Sequence, residues 1–464
     1  MASQLAWVST ESFGWKLYLQ AFSWAIFRLE LSLHGLRQYL LYSKIEPPPA
    51  LAEHFKPETF KKSQEYGKDK AKFSLISGLL KQVVDSVFIQ LNLVAWCWTA
   101  SGWVVNKLGY GPEYEISQSI AFAFALSFIS SLLSLPFSLY QTFVLEEKHG
   151  FNKTAPSLFD TDPLKSWLVG FAIGAYFLAV FLSLFKWAGD RFVPWLMAFL
   201  FVFQMSMLVL YPTVIHPLFN KLSPLAGGDV RGRIEALASK LKFPLEHLYE
   251  IAGSNPERSS HSSAYFFGLP WSKHIVISDT LAKHSKAEEV EAVLAHELGH
   301  WYHAHPTKLL LLSLAHVFTV LALFPAFLHA PPLLAAFGFP AAVAARPPIV
   351  VASRLYRMLL TPTEAVLRIA VNALSRRFEY EADRFACELQ TTLAGEAKTA
   401  DVGDCLGRAL VALDVEDLCT TVWVDWLYSA YHHPHPTLME RLRALDGYKS
   451  AAAAAYTAAQ EKAV

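Results

Sequence analysis

Residues 293–305 read VLAHELGHWYHAH, and almost at once, at 308–324, the chain continues KLLLLSLAHVFTVLALF. The first stretch gathers His296, Glu297, His300, His303 and His305, while the second carries no charge beyond Lys308. A metal-binding pattern therefore abuts a segment built for lipid, and that junction decides the fold class.

Ser285-Lys286-Ala287-Glu288 has the form of a capping box that opens a helix, and Val290, Val293, Leu294 and Leu298 recur at helical spacing behind it. On that helix His296 and His300 lie one turn apart, about 6 Å along the axis, on a shared face. Two imidazoles so placed, with a glutamate beside the first, form the pattern in which zinc is held and water activated. The same spacing would also suit a structural histidine pair beside an exposed glutamate. His303 shares the face, but it sits about 10.5 Å along the axis from His296, too far for both to reach one ion. His303 and His305 are expected behind the ligands or in solvent.

Further out, the chain is 53% hydrophobic and 17% charged, against about 25% charged in average chains. Apolar runs long enough to span occur near 14–34, 84–104, 118–140, 166–188, 193–215 and 308–330, with a weaker seventh in 348–375. The seventh contains Arg354, Arg357, Glu364 and Arg368. It reads either as a surface helix or as a span whose polar face meets a water-filled interior. The lysine-dense KPETFKKSQEYGKDKAK at 56–72 places the loop after the first span in the cytosol. Alternation then puts 141–163 and 216–307 on the cytosolic side. The first run lacks a small-residue cleavage site and reads as an anchor. Zero net charge argues against a broad nucleic-acid surface, so no nucleic-acid partner is expected. Cys97, Cys387, Cys405 and Cys419 show no CxxC spacing and read as reduced thiols. HAPPLLAAFGFPAAVAARPP, after the sixth run, reads as a Pro/Ala loop.

A catalytic zinc needs a third protein ligand. Two segments offer one: SRRFEYEADRFA at 375–386 and HHPHPTLMERLRAL at 432–445. In the first, Glu379 and Asp383 share a helix face and Glu381 points about 160° away. The alternative is a solvated acidic face paired with Arg376, Arg377 and Arg384. If 348–375 spans, Glu379 emerges on the same side as His296 and His300; otherwise the site cannot close. SSAYFFG and KHIVISD, joined through LPWS, read as two strands around a turn, and an exposed edge there could take a peptide by strand addition.

Together these motifs resemble the type I CAAX prenyl endopeptidases, integral-membrane zinc metalloproteases of the gluzincin kind. The resemblance runs from the first span to about Leu445. It rests on EEKHGFNKT (146–154), YPTVIHPLFNKLSPL (211–225), HSSAYFFGLP (261–270), IVISDTL (275–281), VLAHELGHW (293–301), SRRFEYEAD (375–383) and HPTLMERLRAL (435–445). It implies an all-α polytopic membrane protein, seven transmembrane helices around a water-filled intramembrane chamber, with a small α+β cytosolic zinc metalloprotease module. It further implies one Zn2+ per chain held by His296, His300 and Glu379, with Glu297 as general base. Asp383 matches an acidic residue behind the ligands, His435 a histidine that hydrogen-bonds the transition state, and Arg441 a supporting arginine. Ser263, Ala264 and Tyr265 match substrate-gripping positions. The implied substrates are prenylated CAAX proteins that lose their last three residues, and some members cut again nearer the substrate's N-terminus. The implied location is the endoplasmic reticulum or inner nuclear membrane, with the active site toward the cytosol.

The expected organisation is a membrane domain over 1–220 with spans 1–5 and a cytosolic metalloprotease segment over 221–307. Spans 6–7 follow over 308–375, then a cytosolic segment over 376–448 that completes the site, and an Ala-rich tail over 449–464. Ser263, His274, Ser278 and His216 depart from the family's pattern, where Asn, Arg and Phe are usual at the first three, and bear on substrate preference. The competing readings are a membrane-protein quality-control zinc metalloprotease, and a transporter or scaffold with structural histidines.

Overall fold

The computed structural model describes residues 13–448 except 53–55, 112, 151, 153–155, 220–221, 252–263, 270, 279–280, 282–284, 329, 394–401 and 417–421. Ser263, Cys419 and the tail therefore lie outside the described residues, whereas Cys97, Cys387 and Cys405 are buried thiols that form no disulfide among the described residues.

Apolar helices dominate the N-terminal half. Glu115–Glu146, Leu164–Ile215 and His305–Leu328 are each long and apolar enough to cross a membrane. The middle stretch is a hairpin. A short turn at Gly189–Arg191 folds it back, so that the Phe177 ring lies 5.3 Å from Phe199 and 4.9 Å from Phe203. Its arms match the expected runs at 166–188 and 193–215. The expected continuous run at 84–104 is corrected. Pro57–Gln90 and Leu93–Lys107 meet there at a 68° bend, where Asn92 takes the left-handed conformation, φ 57°. Asparagine is one of the few side chains that tolerate this, and local hydropathy carries no trace of it.

The Pro/Ala stretch after the sixth run is also corrected. It forms two short helices, Pro331–Ala336 and Ala341–Ala345. Leu333, Leu334 and Phe337 are buried there with Trp15, Val94 and Leu355, so burial of an apolar plug overrides weak periodicity. A neighbouring cluster joins Leu182, Phe185, Leu196, Phe324 and Tyr356 and ties the hairpin to the sixth and seventh runs.

The seventh run is part of one helix, Ile349–Leu393, of 45 residues. At 1.5 Å per residue it is about 68 Å long, more than twice the ~30 Å hydrocarbon core. Two of its charged residues pair with other helices: Glu364 lies 3.3 Å from His316, and Arg368 lies 3.9 Å from Glu30.

The polar module has a four-stranded sheet, β1 (Leu222–Pro224), β2 (Leu245–Ile251), β3 (Ala264–Leu269) and β4 (Ser272–Ser278), in the order β1-β2-β4-β3. β3 and β4 form the expected antiparallel hairpin, and β4 runs parallel to β2. Leu248, Ile275 and Ile277 pack beneath the helices Asp229–Lys240 and Ala287–Tyr302. The cap of the latter is shifted one residue from expectation. Glu289, not Glu288, accepts a backbone N–H, that of Lys286, at 3.0 Å.

Candidate metal centre

Helix Ala287–Tyr302 presents His296 and His300 one turn apart, and the long helix brings Glu379 opposite them. The ring Nε2 atoms of His296 and His300 are 3.1 Å apart, and the Glu379 carboxylate lies 3.4 and 3.3 Å from them. A tetrahedral zinc with bonds of about 2.0–2.1 Å separates its ligands by about 3.3 Å. Two imidazole nitrogens and a carboxylate converging at that spacing fit such an ion, and His296, His300 and Glu379 form one candidate metal-holding group. Burial would raise the Glu379 pKa, but the hydrogen-bonding rings of His296 and His300 hold it far below the ordinary carboxylate range.

Gly299 lets the two helices approach. A Cβ there would meet Ala382 Cα at 3.1 Å and the Phe385 ring at 3.1 Å. The glycine of HELGH is thus what brings Glu379 within reach.

Each imidazole is held from behind. Asp383, fully buried, lies 2.8 Å from His296 Nδ1 and accepts from Arg441 Nε at 2.9 Å and Nη2 at 2.5 Å. Burial opposes the Asp383 charge, yet Arg441 and His296 keep its pKa below the usual value. Burial and Arg441 likewise push His296 down, and Asp383 and Glu379 outweigh them, lifting it to about 9 in the metal-free protein. On the other side His300 Nδ1 lies 2.9 Å from His305 Nδ1, and His305 Nε2 lies 3.1 Å from Glu381. His305 stacks on Phe378 at 4.2 Å, and burial pushes its pKa down to about 4, so the ring is neutral. A ring whose Nε2 lone pair faces the metal group carries its proton on Nδ1. His300 therefore donates to His305, which donates to Glu381.

The sequence places Glu381 away from the metal group, and it is; its use as the anchor of His305 was not foreseen. The sequence carries no signal of it: Ala304, a residue type that seldom adopts φ above zero, has φ of 54°, which turns the chain between the two helices and swings His305 back toward His300. Glu297 lies on the same helix, and burial raises its pKa despite His296 and His300 nearby. His435 Nε2 lies 3.4 Å from Glu379 on the exposed side, and Arg441 Nη1 approaches Glu379 at 4.0 Å. Ala264 and Tyr265 lie half-buried on β3, an edge strand of the sheet that packs on the HExxH helix.

Fold and site define a class: a polytopic helical protein with an HExxH-plus-distal-glutamate peptidase centre. Residues 38–221 match the family model described as "CAAX prenyl protease N-terminal, five membrane helices", and residues 224–449 match that of peptidase family M48. The chain belongs to peptidase family M48. It is 38% identical over 446 residues to "CAAX prenyl protease 1" of Saccharomyces cerevisiae, covering 93% of this chain and 95% of the relative. It is 34% identical over 465 residues to the Homo sapiens "CAAX prenyl protease 1 homolog", covering 92% and 94%. The crystal structure of S. mikatae Ste24p superposes with a TM-score of 0.84 at 38% identity, covering 94% of this chain and 99% of that one.

Proposed function

We propose that the protein is a zinc-dependent endopeptidase that removes the last three residues of prenylated CAAX proteins at the membrane. The observation that carries this is the convergence of His296, His300 and Glu379 at tetrahedral spacing, in a chain similar over nearly its whole length to CAAX prenyl proteases. His296, His300 and Glu379 are the residues that would hold the metal. Bound there, zinc would supply Lewis-acid polarisation of the scissile carbonyl and acidify water.

Glu297 takes the proton of the attacking water and passes it to the leaving amine. Its raised pKa brings it nearer the operating pH, as both transfers need. His435, on the exposed side of Glu379, donates to the developing oxyanion. Donors of that kind are worth roughly 3–4 kcal/mol. Asp383 with Arg441, and His305 with Glu381, keep the two imidazoles aimed. Ala264 and Tyr265 lie on the edge strand β3, suited to pairing with an extended peptide backbone, and Ser263, next to them in the sequence, is assigned the same role.

The same reading includes seven spans around a water-filled chamber, with the metal at its cytosolic end. It is supported by the pairs Glu364–His316 and Arg368–Glu30 between expected spans, whose side chains are 47%, 32%, 55% and 35% exposed. The proposed domain limits are those expected from the sequence, and the proposed location is the endoplasmic reticulum membrane with the site toward the cytosol. The test is incubation of the purified protein with a farnesylated CAAX peptide and with its unprenylated twin. Release of the terminal tripeptide from the farnesylated peptide alone is expected. Equal cleavage of both, or of unfolded membrane proteins only, would overturn the substrate assignment.

A further inference from the structure

A second group of metal-ligating side chains lies on the sheet, contributed by β2 and β4 and separate from the residues around Glu379. Glu246, His247 and His274 each offer one donor atom, and these atoms all lie within 4.8 Å of one another. We propose that they form a second, exposed binding site for a divalent transition cation such as Zn2+. The proposal is independent of the peptidase reading.

The backbone brings the three together. In a regular strand Glu246 and His247 would point to opposite faces. The β2–β4 register shifts between Leu245 and His247, so Leu245 pairs with Lys273 and His247 already pairs with His274. The extra residue of this bulge lets Leu245 and Leu248 both turn into the core, leaving Glu246 and His247 both on the outer face. His274 projects from β4 to the same side, its ring centroid 5.3 Å from that of His247.

The chemistry suits a cation. Two imidazoles and a carboxylate are a donor set zinc accepts. Ser272 Oγ donates to Glu246 Oε2 and steadies the carboxylate. Among the described residues His274 Nδ1 is buried without a hydrogen-bond partner, an unmet need that a cation or its bound water would satisfy. Lys273, the nearest cation on β4, is turned to the other face, donating to the Gly268 carbonyl over the Phe266 ring. A cation here would clip β2 to β4 in their parallel pairing.

The test is a Zn2+ titration of the full-length protein, purified in detergent and stripped with a chelator. Wild type is expected to take up two equivalents. His247→Ala and Glu246→Gln are each expected to take up one and to keep peptidase activity. His274→Arg, which replaces the ring with a cation that cannot ligate, should also take up one. His296→Ala should lose the other equivalent, and the pair His296→Ala/His247→Ala should bind none. A single equivalent in wild type, or a second equivalent that survives His247→Ala with unchanged affinity, overturns the proposal. Because His296→Ala and His247→Ala remove different equivalents, failure of one site is distinguishable from failure of the other.

Discussion

His305 shows how much of the site depends on single atoms. Its neutral ring links His300 to Glu381 through contacts of 2.9 and 3.1 Å. Removing such an orienting partner commonly weakens metal affinity about 10–100-fold. His305→Ala should therefore lose zinc to a competing chelator at about that ratio while remaining folded by circular dichroism; unchanged affinity would assign His305 to packing alone. A pH dependence follows from His296. In the metal-free protein its pKa is about 9, so below that pH the ion must displace a proton. Zinc affinity should rise with pH, about tenfold per unit at most, and level off above pH 9, with matching proton release in calorimetry. An affinity flat between pH 6 and 9 would contradict this. At this scale HExxH and the Glu379/Asp383 face were legible because helical spacing alone sets them. The His305–Glu381 link was not, since it depends on the left-handed turn at Ala304 and on a residue 76 positions away.

Helices meet at the site only because one of them carries a glycine. Gly299→Ala would place a methyl group 3.1 Å from Ala382 Cα. Backbone cannot yield as a flexible side chain can, so the helices should separate at a cost of about 1–3 kcal/mol. Glu379 would move away from the histidines with them. The expected result is a lowered melting temperature together with weakened zinc binding; a variant with wild-type zinc affinity would show that the approach is not needed. Elements themselves were read well from sequence where the apolar run was long, as at His305–Leu328. They were misread where tertiary contacts overrule local pattern. The Asn92 bend and the plug around Leu334 are such places, stabilised by packing partners far away in the chain.

On the scale of the molecule, the continuity of Ile349–Leu393 links the apolar helices to the chemistry, since the helix that packs Ile349, Ala352 and Tyr356 against Leu321 and Phe324 also carries Glu379. If the polar face of that helix borders water, Glu364→Cys in sealed vesicles should react with a charged, water-soluble thiol reagent. Absence of labelling would mean that the face is closed by protein or lipid. The composition already marked a membrane protein, and the charge-bearing seventh run already posed the choice between surface helix and lined interior. The choice turns on inter-helix pairs, His316 with Glu364 and Glu30 with Arg368, that no local window contains. The central claim is that His296, His300 and Glu379 hold a catalytic zinc and Glu297 moves the proton. It is tested most directly by comparing wild type with Glu297→Gln for zinc bound at the His296 site and for tripeptide release from a farnesylated CAAX peptide. The account predicts full zinc occupancy in both proteins and release by wild type alone; undiminished release by Glu297→Gln, or no zinc in wild type, would contradict it.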